Sequence, residues 1–326
     1  MNISQYENLS EKVNSQITFL NFNQDCSCIL LGLKNGFKIF NIEPFNKHFE
    51  KTNSEFLVGD MLFSTSLFVY SSVPKETSNY CLKIYNLSSN QLIKKLTFNS
   101  PILSVQTNRK KLVLSFSDKL QIFDFTTMNK IGAIPTSNSS GLFNLSTGET
   151  SLLIFPSSNS KGTVTISDTN NLQELSKVKC HKTKVIAIAI SNDEKFFATA
   201  SQKGTIVRIF PFKNPKKHIC QVRRGTTQRT IYHISFSSNS DFLSVTSDGG
   251  TIHIFKIREN GVFETSTPRS FSEIKFVNFL PHIAFFDFRN DRVHVVGSDG
   301  KLLIYDSNKN SSKKNYFLTN EINLMD

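Results

Sequence analysis

The sequence predicts an all-β protein, a seven-bladed β-propeller of WD-repeat type, and three observations carry that prediction. An apolar strand, a short turn usually holding Gly or Asp, and a strand ending in Ile-Phe or Ile-Tyr recur along the whole chain. The endings fall at residues 40, 85, 123, 166, 210, 255 and 305, with successive differences of 45, 38, 43, 44, 45 and 50, the period of four-stranded propeller blades. Between them run period-two alternating segments followed by Asn, Asp or Ser corners, the pattern of antiparallel strands joined by tight turns, and long helical periodicity is absent.

Taken in order, the first blade pairs the alternating strand Ile17-Thr-Phe-Leu-Asn-Phe22 and its corner Asn23-Gln-Asp25 with Leu33-Lys-Asn-Gly-Phe-Lys-Ile-Phe40. The second and third carry Leu82-Lys-Ile-Tyr85 and Ser117-Asp-Lys-Leu-Gln-Ile-Phe123, and a weaker copy, Lys161-Gly-Thr-Val-Thr-Ile166, marks the fourth. In the fifth, Ile186-Ala-Ile-Ala-Ile190 and the corner Ser191-Asn-Asp193 precede Ser201-Gln-Lys-Gly-Thr-Ile-Val-Arg-Ile-Phe210. The sixth repeats the scheme with Ile231 to Phe236, Ser237-Ser-Asn239 and Ser247-Asp-Gly-Gly-Thr-Ile-His-Ile-Phe255, and the seventh ends in Ser298-Asp-Gly-Lys-Leu-Leu-Ile-Tyr305. A single domain over 1–326 is expected, with approximate blades 13–50, 55–98, 100–134, 140–178, 183–217, 230–280 and 281–320. Whether Met1 to Glu11 completes the last blade stays open, and Ser307 to Asn315 reads as a solvated loop before a last strand.

Composition narrows the setting. Hydrophobic residues make up 38% of the 326, and 30 Phe supply bulky core material although Trp is absent, which excludes global disorder. The longest apolar runs, such as Val185 to Ile190, are far shorter than a membrane-spanning helix requires, and no secretory leader pattern opens the sequence, so a cytoplasmic monomer is expected. Five cysteines fit reduced thiols, and a zinc site at Cys26 and Cys28 would need a second ligand pair whose spacing Cys180-His181 does not supply, so no metal is expected. No Ser-His-Asp, paired-carboxylate or phosphate-loop arrangement has supporting context, and Gly249-Gly250 belongs to a strand turn, so neither catalysis nor a cofactor is expected.

Charge is distributed unevenly. The formal net charge is +12, and the 46 residues from Lys195 to Ser240 hold nine Lys or Arg and no Asp or Glu. Such a one-signed window attracts polyanions. Arg223-Arg224-Gly225 lies inside it, and two adjacent arginines in an extended strand point to opposite sides, so one dipeptide can serve two anion pockets. Ser201, Lys203 and Thr205 are spaced by two around a strand-turn-strand, as are Thr251 and His253 along a strand, so each set can share one side.

Asn21-Phe-Asn-Gln-Asp25, Gly36-Phe-Lys-Ile-Phe40, the Arg-Arg-Gly after the fifth repeat and Ser247-Asp-x-Gly-Thr-Ile-His253 resemble the PROPPIN (WIPI) family over essentially the whole chain. The resemblance implies binding of phosphatidylinositol 3-phosphate and phosphatidylinositol 3,5-bisphosphate, work in autophagy, and peripheral attachment to autophagosomal precursor, endosomal or vacuolar membranes. It implies a first pocket of His181, Ser201, Lys203, Thr205 and Arg223 and a second of Arg224, Arg229, Ser247, Thr251 and His253. The family signature has Phe or Leu before Arg-Arg-Gly, whereas here Val222 supplies the apolar anchor. Where the family often has Lys after Ser-Asp this chain has Gly249, which implies a weaker second pocket. Arginine forks suit phosphate oxygens, and hydroxyls and the close backbone approach permitted at Gly225 complement them.

The family also inserts a loop of the sixth blade into the bilayer. The matching segment here, Arg258 to Ser272, is short and holds Val262-Phe263 between Arg258 and Arg269. Thr251 and His253 also read as ordinary strand polar residues, and the loop also reads as a solvated hairpin. The resemblance implies a protein partner such as a lipid-transfer or conjugation factor, and Pro74-Lys-Glu-Thr-Ser78 is a candidate partner loop. The alternative is a basic scaffold that binds an acidic protein or nucleic acid without lipid specificity. Nucleic acid is disfavoured because Phe210, Phe212 and Phe236 fit the strand pattern rather than forming exposed stacking platforms.

Overall fold

The computed structural model describes all residues except 4–15, 74–78, 159, 260–261, 264–269, 276–279, 288 and 308–314, and describes 259, 262 and 263 by backbone alone. The candidate partner loop at Pro74 to Ser78 and the loop cation Arg269 lie outside the described residues.

Seven four-stranded antiparallel sheets form the blades of an all-β propeller. The first holds β1 (Ile17–Phe22), β2 (Cys28–Leu33), β3 (Gly36–Asn41) and β4 (Asn46–Thr52), and the second holds β5 (Gly59–Met61), β6 (Leu67–Ser72), β7 (Tyr80–Asn86) and β8 (Gln91–Phe98). The third is β9 (Ser104–Thr107), β10 (Lys111–Ser115), β11 (Lys119–Asp124) and β12 (Lys130–Pro135). The fourth is β13 (Asn144–Leu145), β14 (Leu152–Pro156), β15 (Thr163–Asp168) and β16 (Glu174–Lys179). The fifth is β17 (Val185–Ile190), β18 (Phe196–Ser201), β19 (Ile206–Pro211) and β20 (Cys220–Arg223), so its outer strand runs past the expected end at 217 and contains Arg223. In the sixth, β21 (Ile231–Phe236), β22 (Phe242–Ser247) and β23 (Thr251–Lys256) are followed by a two-stranded hairpin, β24 (Arg258–Glu259) and β25 (Val262–Phe263), before β26 (Ser272–Lys275) completes the sheet. The seventh is β27 (His282–Asp287), β28 (Arg292–Gly297), β29 (Lys301–Ser307) and β30 (Tyr316–Asn323). At the other terminus Asn2 bridges Phe19, so the described N-terminal residues join the first blade.

Burial follows strand position. Second strands such as β18 and β22 are buried along nearly their whole length, because both faces of the sheet are covered, whereas outer strands such as β4 and β8 are largely exposed. This is why the inner repeats read as continuous apolar runs. The polar corners share one geometry. The side chains of Asn23, Ser191 and Ser237 accept the amide five residues on, from Cys28 at 2.9 Å and from Phe196 and Phe242 at 3.0 Å each. The residue three places after each, Cys26, Glu194 or Ser240, takes a positive φ of 56°, 53° or 60°. A short polar side chain thus replaces a backbone turn bond, and the repeat visible in sequence is repeated in space.

The chain divides into two compact units, one built on Asn14–Leu153 with Asp168–Gln173, the other on Ile154–Ser167 with Glu174–Asp326. In the first, phenylalanine does the work of the missing tryptophan. Phe37 packs 4.7 Å from Phe68 and 5.1 Å from Tyr70 between ring centres. In the second, Val207, Ile209, Val222, Ile231, Leu243, Val245 and Phe255 form a core between the fifth and sixth blades. All the candidate site residues belong to this second unit. The five cysteines are unbridged.

Candidate anion-binding site on the fifth and sixth blades

The fifth blade brings its candidate residues together through one turn. β18 ends at Ser201, the Gly204 amide donates to the Ser201 carbonyl at 2.7 Å, and β19 starts after Thr205. Gly204 has φ +62°, and a Cβ there would sit 1.8 Å from the Arg229 carbonyl oxygen, so only glycine fits. β20 pairs antiparallel with β19, placing Val222 opposite Val207 and Arg223 opposite Ile206. Beyond the strand, the amides of Arg224 and Gly225 both donate to the Thr205 carbonyl, at 3.0 and 3.4 Å. The Arg-Arg-Gly segment is therefore stitched along the Ser201–Thr205 turn. Val222 is fully buried in the core, as an apolar anchor requires.

The two arginines differ because the strand ends between them. Arg223 is exposed and, like the exposed Lys203 in the turn, has no acid partner among the described residues. Ser201 and Thr205 are buried, whereas Lys203 between them is exposed. His181 is also buried, and its Nε2 lies 3.1 Å from the Thr199 carbonyl and 3.0 Å from its hydroxyl rather than on Ser201, Lys203, Thr205 or Arg223. Burial lowers its pKa to about 4, with Arg208 adding to the effect, so the ring is neutral at neutral pH.

Arg224 is half-buried and braced. Its Nε donates to the Gly204 carbonyl at 2.9 Å and its Nη2 donates to the Thr227 carbonyl. Burial and the neighbouring Arg229 lower its pKa, and Asp248 opposes them. A guanidinium carries five N–H donors, so Arg224 keeps most of its fork available after these two contacts. Ser247 is buried and accepts the Gly249 amide at 3.3 Å. A Cβ added to Gly249 would lie 3.6 Å from Arg224 Nη1 and 3.7 Å from Arg229 Cγ, so residue 249 faces both arginines. On β23, Thr251 is half-buried opposite Lys275, and buried His253 lies opposite Glu273 with Nδ1 3.6 Å from its carboxylate. Burial lowers the His253 pKa against the pull of Glu273, with Arg224 pushing the same way as burial.

Four contributors were not evident in the sequence. Gly204 supplies the carbonyl that aims Arg224, Asp248 and Glu273 bring negative charge to the blade-six cluster, and Lys275 stands opposite Thr251. Pairing Glu273 and Lys275 with β23 required knowing that β26, beyond the hairpin, closes the sixth sheet. Arg258 corrects the expectation of a loop cation facing a membrane. Its Nε binds Asp241 at 2.6 Å, its Nη1 reaches Asp193 at 3.4 Å, its Nη2 donates to the Asn239 carbonyl at 3.1 Å, and its guanidinium lies 5.6 Å from the Phe196 ring centre. It ties the base of the β24–β25 hairpin to two polar corners. Val262 and Phe263 form β25, paired with Glu259 and Arg258 respectively.

The PROPPIN family model matches residues 16–290. Autophagy-related protein 18 of Dictyostelium discoideum is 38% identical over 268 residues, covering 82% of this chain and 71% of that protein. Its Yarrowia lipolytica counterpart is 35% identical over 281 residues, covering 78% and 69%. Among solved structures, Kluyvelomyces marxianus Hsv2 superposes with a TM-score of 0.81 at 20% identity, over 96% of this chain and all 100% of that one. KlAtg21, solved in complex with the coiled-coil of AgAtg16, gives 0.81 at 26% identity over 95% and 99%. Sequence match and fold agree, and the chain belongs to the PROPPIN family.

Proposed function

We propose that the protein is a peripheral membrane effector that binds phosphatidylinositol 3-phosphate and phosphatidylinositol 3,5-bisphosphate through the two clusters on the fifth and sixth blades. The observation that carries this reading is the pair of consecutive arginines held against the Ser201–Thr205 turn, Arg223 exposed opposite Ile206 and Arg224 braced by carbonyls with its remaining donors free to bind. Phosphate has oxygens on several sides and suits such a set. Arg223 and Lys203 supply charge, Ser201 and Thr205 supply hydroxyls in the first pocket, and Arg224, Arg229, Ser247 and Thr251 supply the second. The two histidines enter as neutral hydrogen-bonding groups. Each charge-assisted bond contributes about 1.5–3 kcal/mol, so one pocket alone is weak and two on one membrane act together.

The family relationship supports recruitment of autophagy or endolysosomal machinery to such membranes, and the coiled-coil seen on KlAtg21 supports a protein partner for this chain as well. Co-sedimentation with vesicles carrying phosphatidylinositol 3-phosphate or its 4-phosphate isomer at matched charge tests the reading. Preference for the 3-phosphate that disappears in Arg223→Thr/Arg224→Thr, with the thermal midpoint preserved, is the expected result. Equal binding to both isomers points instead to a basic scaffold.

A further inference from the structure

At the far end of β19 and β20 from the phosphate clusters, the hairpin 212–219 turns back toward Cys220. Lys213, Lys216 and Lys217 are exposed on it, and exposed Lys195 joins them, because the Phe212 amide donates to the Lys195 carbonyl at 2.9 Å. Among the described residues none of these four lysines is ion-paired. The nearby acid Asp193 is already engaged by the Ser191 hydroxyl at 2.6 Å and by Arg258 at 3.4 Å, and half-exposed Glu194 is the remaining carboxylate of the corner. The hairpin is anchored rather than loose. Phe210 stacks on Phe197 at 5.2 Å and 13°, Phe212 packs on Phe197 at 5.2 Å, His218 meets Phe210 at 6.0 Å, and Pro215 is buried.

We propose that this hairpin is a second membrane contact, one that senses the negative charge of the bilayer rather than the identity of a headgroup. The inference rests on the phosphoinositide reading for its orientation. β20 is the outermost strand of the fifth sheet, so its edge is the blade's rim, and Lys217 lies within about 20 Å of Arg223 along it. A bilayer along that rim meets the arginines at one end and the lysines at the other. The chemistry favours a diffuse anionic surface over a protein. Lysine ammonium groups are mobile point charges without the planar fork of arginine, and none of the exposed large apolar residues among those described lies in this corner, so it lacks an apolar anchor of the kind that dominates protein interfaces.

The test uses the full chain and Lys213→Ser/Lys216→Ser/Lys217→Ser, on phosphatidylcholine vesicles carrying phosphatidylinositol 3-phosphate with or without phosphatidylserine. Because the three side chains are exposed, the thermal midpoint should not move. The expected result is at least about a tenfold weaker binding to serine-containing vesicles, no change on vesicles without phosphatidylserine, and disappearance of the difference at high salt. Unchanged binding on serine-containing vesicles overturns the proposal, and so does an equal loss on both compositions. Loss of binding to poly-glutamate with vesicle binding intact reassigns the hairpin to an acidic protein segment. If wild type fails to discriminate the 3- from the 4-phosphate isomer, the headgroup reading fails, yet the serine-dependent loss still decides the role of the lysines.

Discussion

The two anion clusters start from consecutive residues, yet they present charge differently. On the fifth blade, Arg223 and Lys203 stand exposed, and no acid is paired with either among the described residues. On the sixth, Arg224 is fixed by the Gly204 and Thr227 carbonyls, but Asp248 and Glu273 sit within the same cluster and residue 249 is a glycine. The first has net charge and freedom; the second has preorganisation and internal neutralisation. Charge wins at long range, so the fifth-blade pocket should bind a doubly charged headgroup more tightly and with steeper salt dependence.

The largest effect expected is from the residue both clusters share. Gly204→Ala places a methyl against the Arg229 carbonyl at a positive φ and displaces the oxygen that aims Arg224. A loss of roughly 2–4 kcal/mol in urea unfolding, with headgroup binding lost at both pockets, is expected. If that variant keeps wild-type stability, the turn is not the rigid brace described.

Next come the single arginines. Arg223→Thr should weaken headgroup binding about 10- to 100-fold, the range of one or two charge-assisted bonds, and Arg224→Thr by less than about tenfold. Gly249→Lys should strengthen the sixth-blade pocket about fivefold by adding a cation against Arg229 and opposite the acids. The added Cβ would lie 3.3 Å from the Ser247 hydroxyl, a tight contact that this side chain must relieve by a shift of a few tenths of an ångström, so a small loss of stability accompanies the gain. The reverse order of the arginine effects would break the comparison.

The smallest effect concerns pH. His181 has a folded pKa of about 4 against 6.5 when free, so above pH 6.5 it contributes no pH dependence. As pH falls from 6.5 toward 4 the unfolded chain takes up a proton that the folded chain refuses, and stability declines; His233 and His282, also lowered to about 4 by burial, act the same way. Through these histidines thermal midpoints should drop by pH 5; the buried Met1 amine, lowered to about 5, adds a decline that begins below pH 8, and buried Asp60, raised to about 7, opposes both. Headgroup affinity should change little between about pH 8 and 7, because burial holds His181 near 4 and pushes His253 below the ordinary imidazole pKa. A steep rise in affinity over that range would show a histidine acting as a cation.

The fold was legible because the first, fifth and sixth blades repeat one local chemistry, a buried alternation and a polar corner whose side chain replaces a turn bond at Asn23, Ser191 and Ser237, while strand endings at the same spacing mark the other blades. Arg223 and Arg224 stand out through charge density and through the Arg-Arg-Gly that resembles the family signature. What stayed hidden depends on contacts distant in sequence. Glu273 and Lys275 reach His253 and Thr251 only because β26 pairs with β23, and Arg258 is neutralised by corners 17 and 65 residues away. Gly204 looked like a turn glycine, and its steric need comes from Arg229, which no local pattern reveals.

Calorimetric titration of soluble inositol 1,3-bisphosphate into wild type, Arg223→Thr and Arg224→Thr tests the central claim most directly. Two unequal sites in wild type, the tighter lost in Arg223→Thr and the weaker lost in Arg224→Thr, are the predicted outcome. A single site, two equal sites, or heat unchanged by either substitution would contradict it.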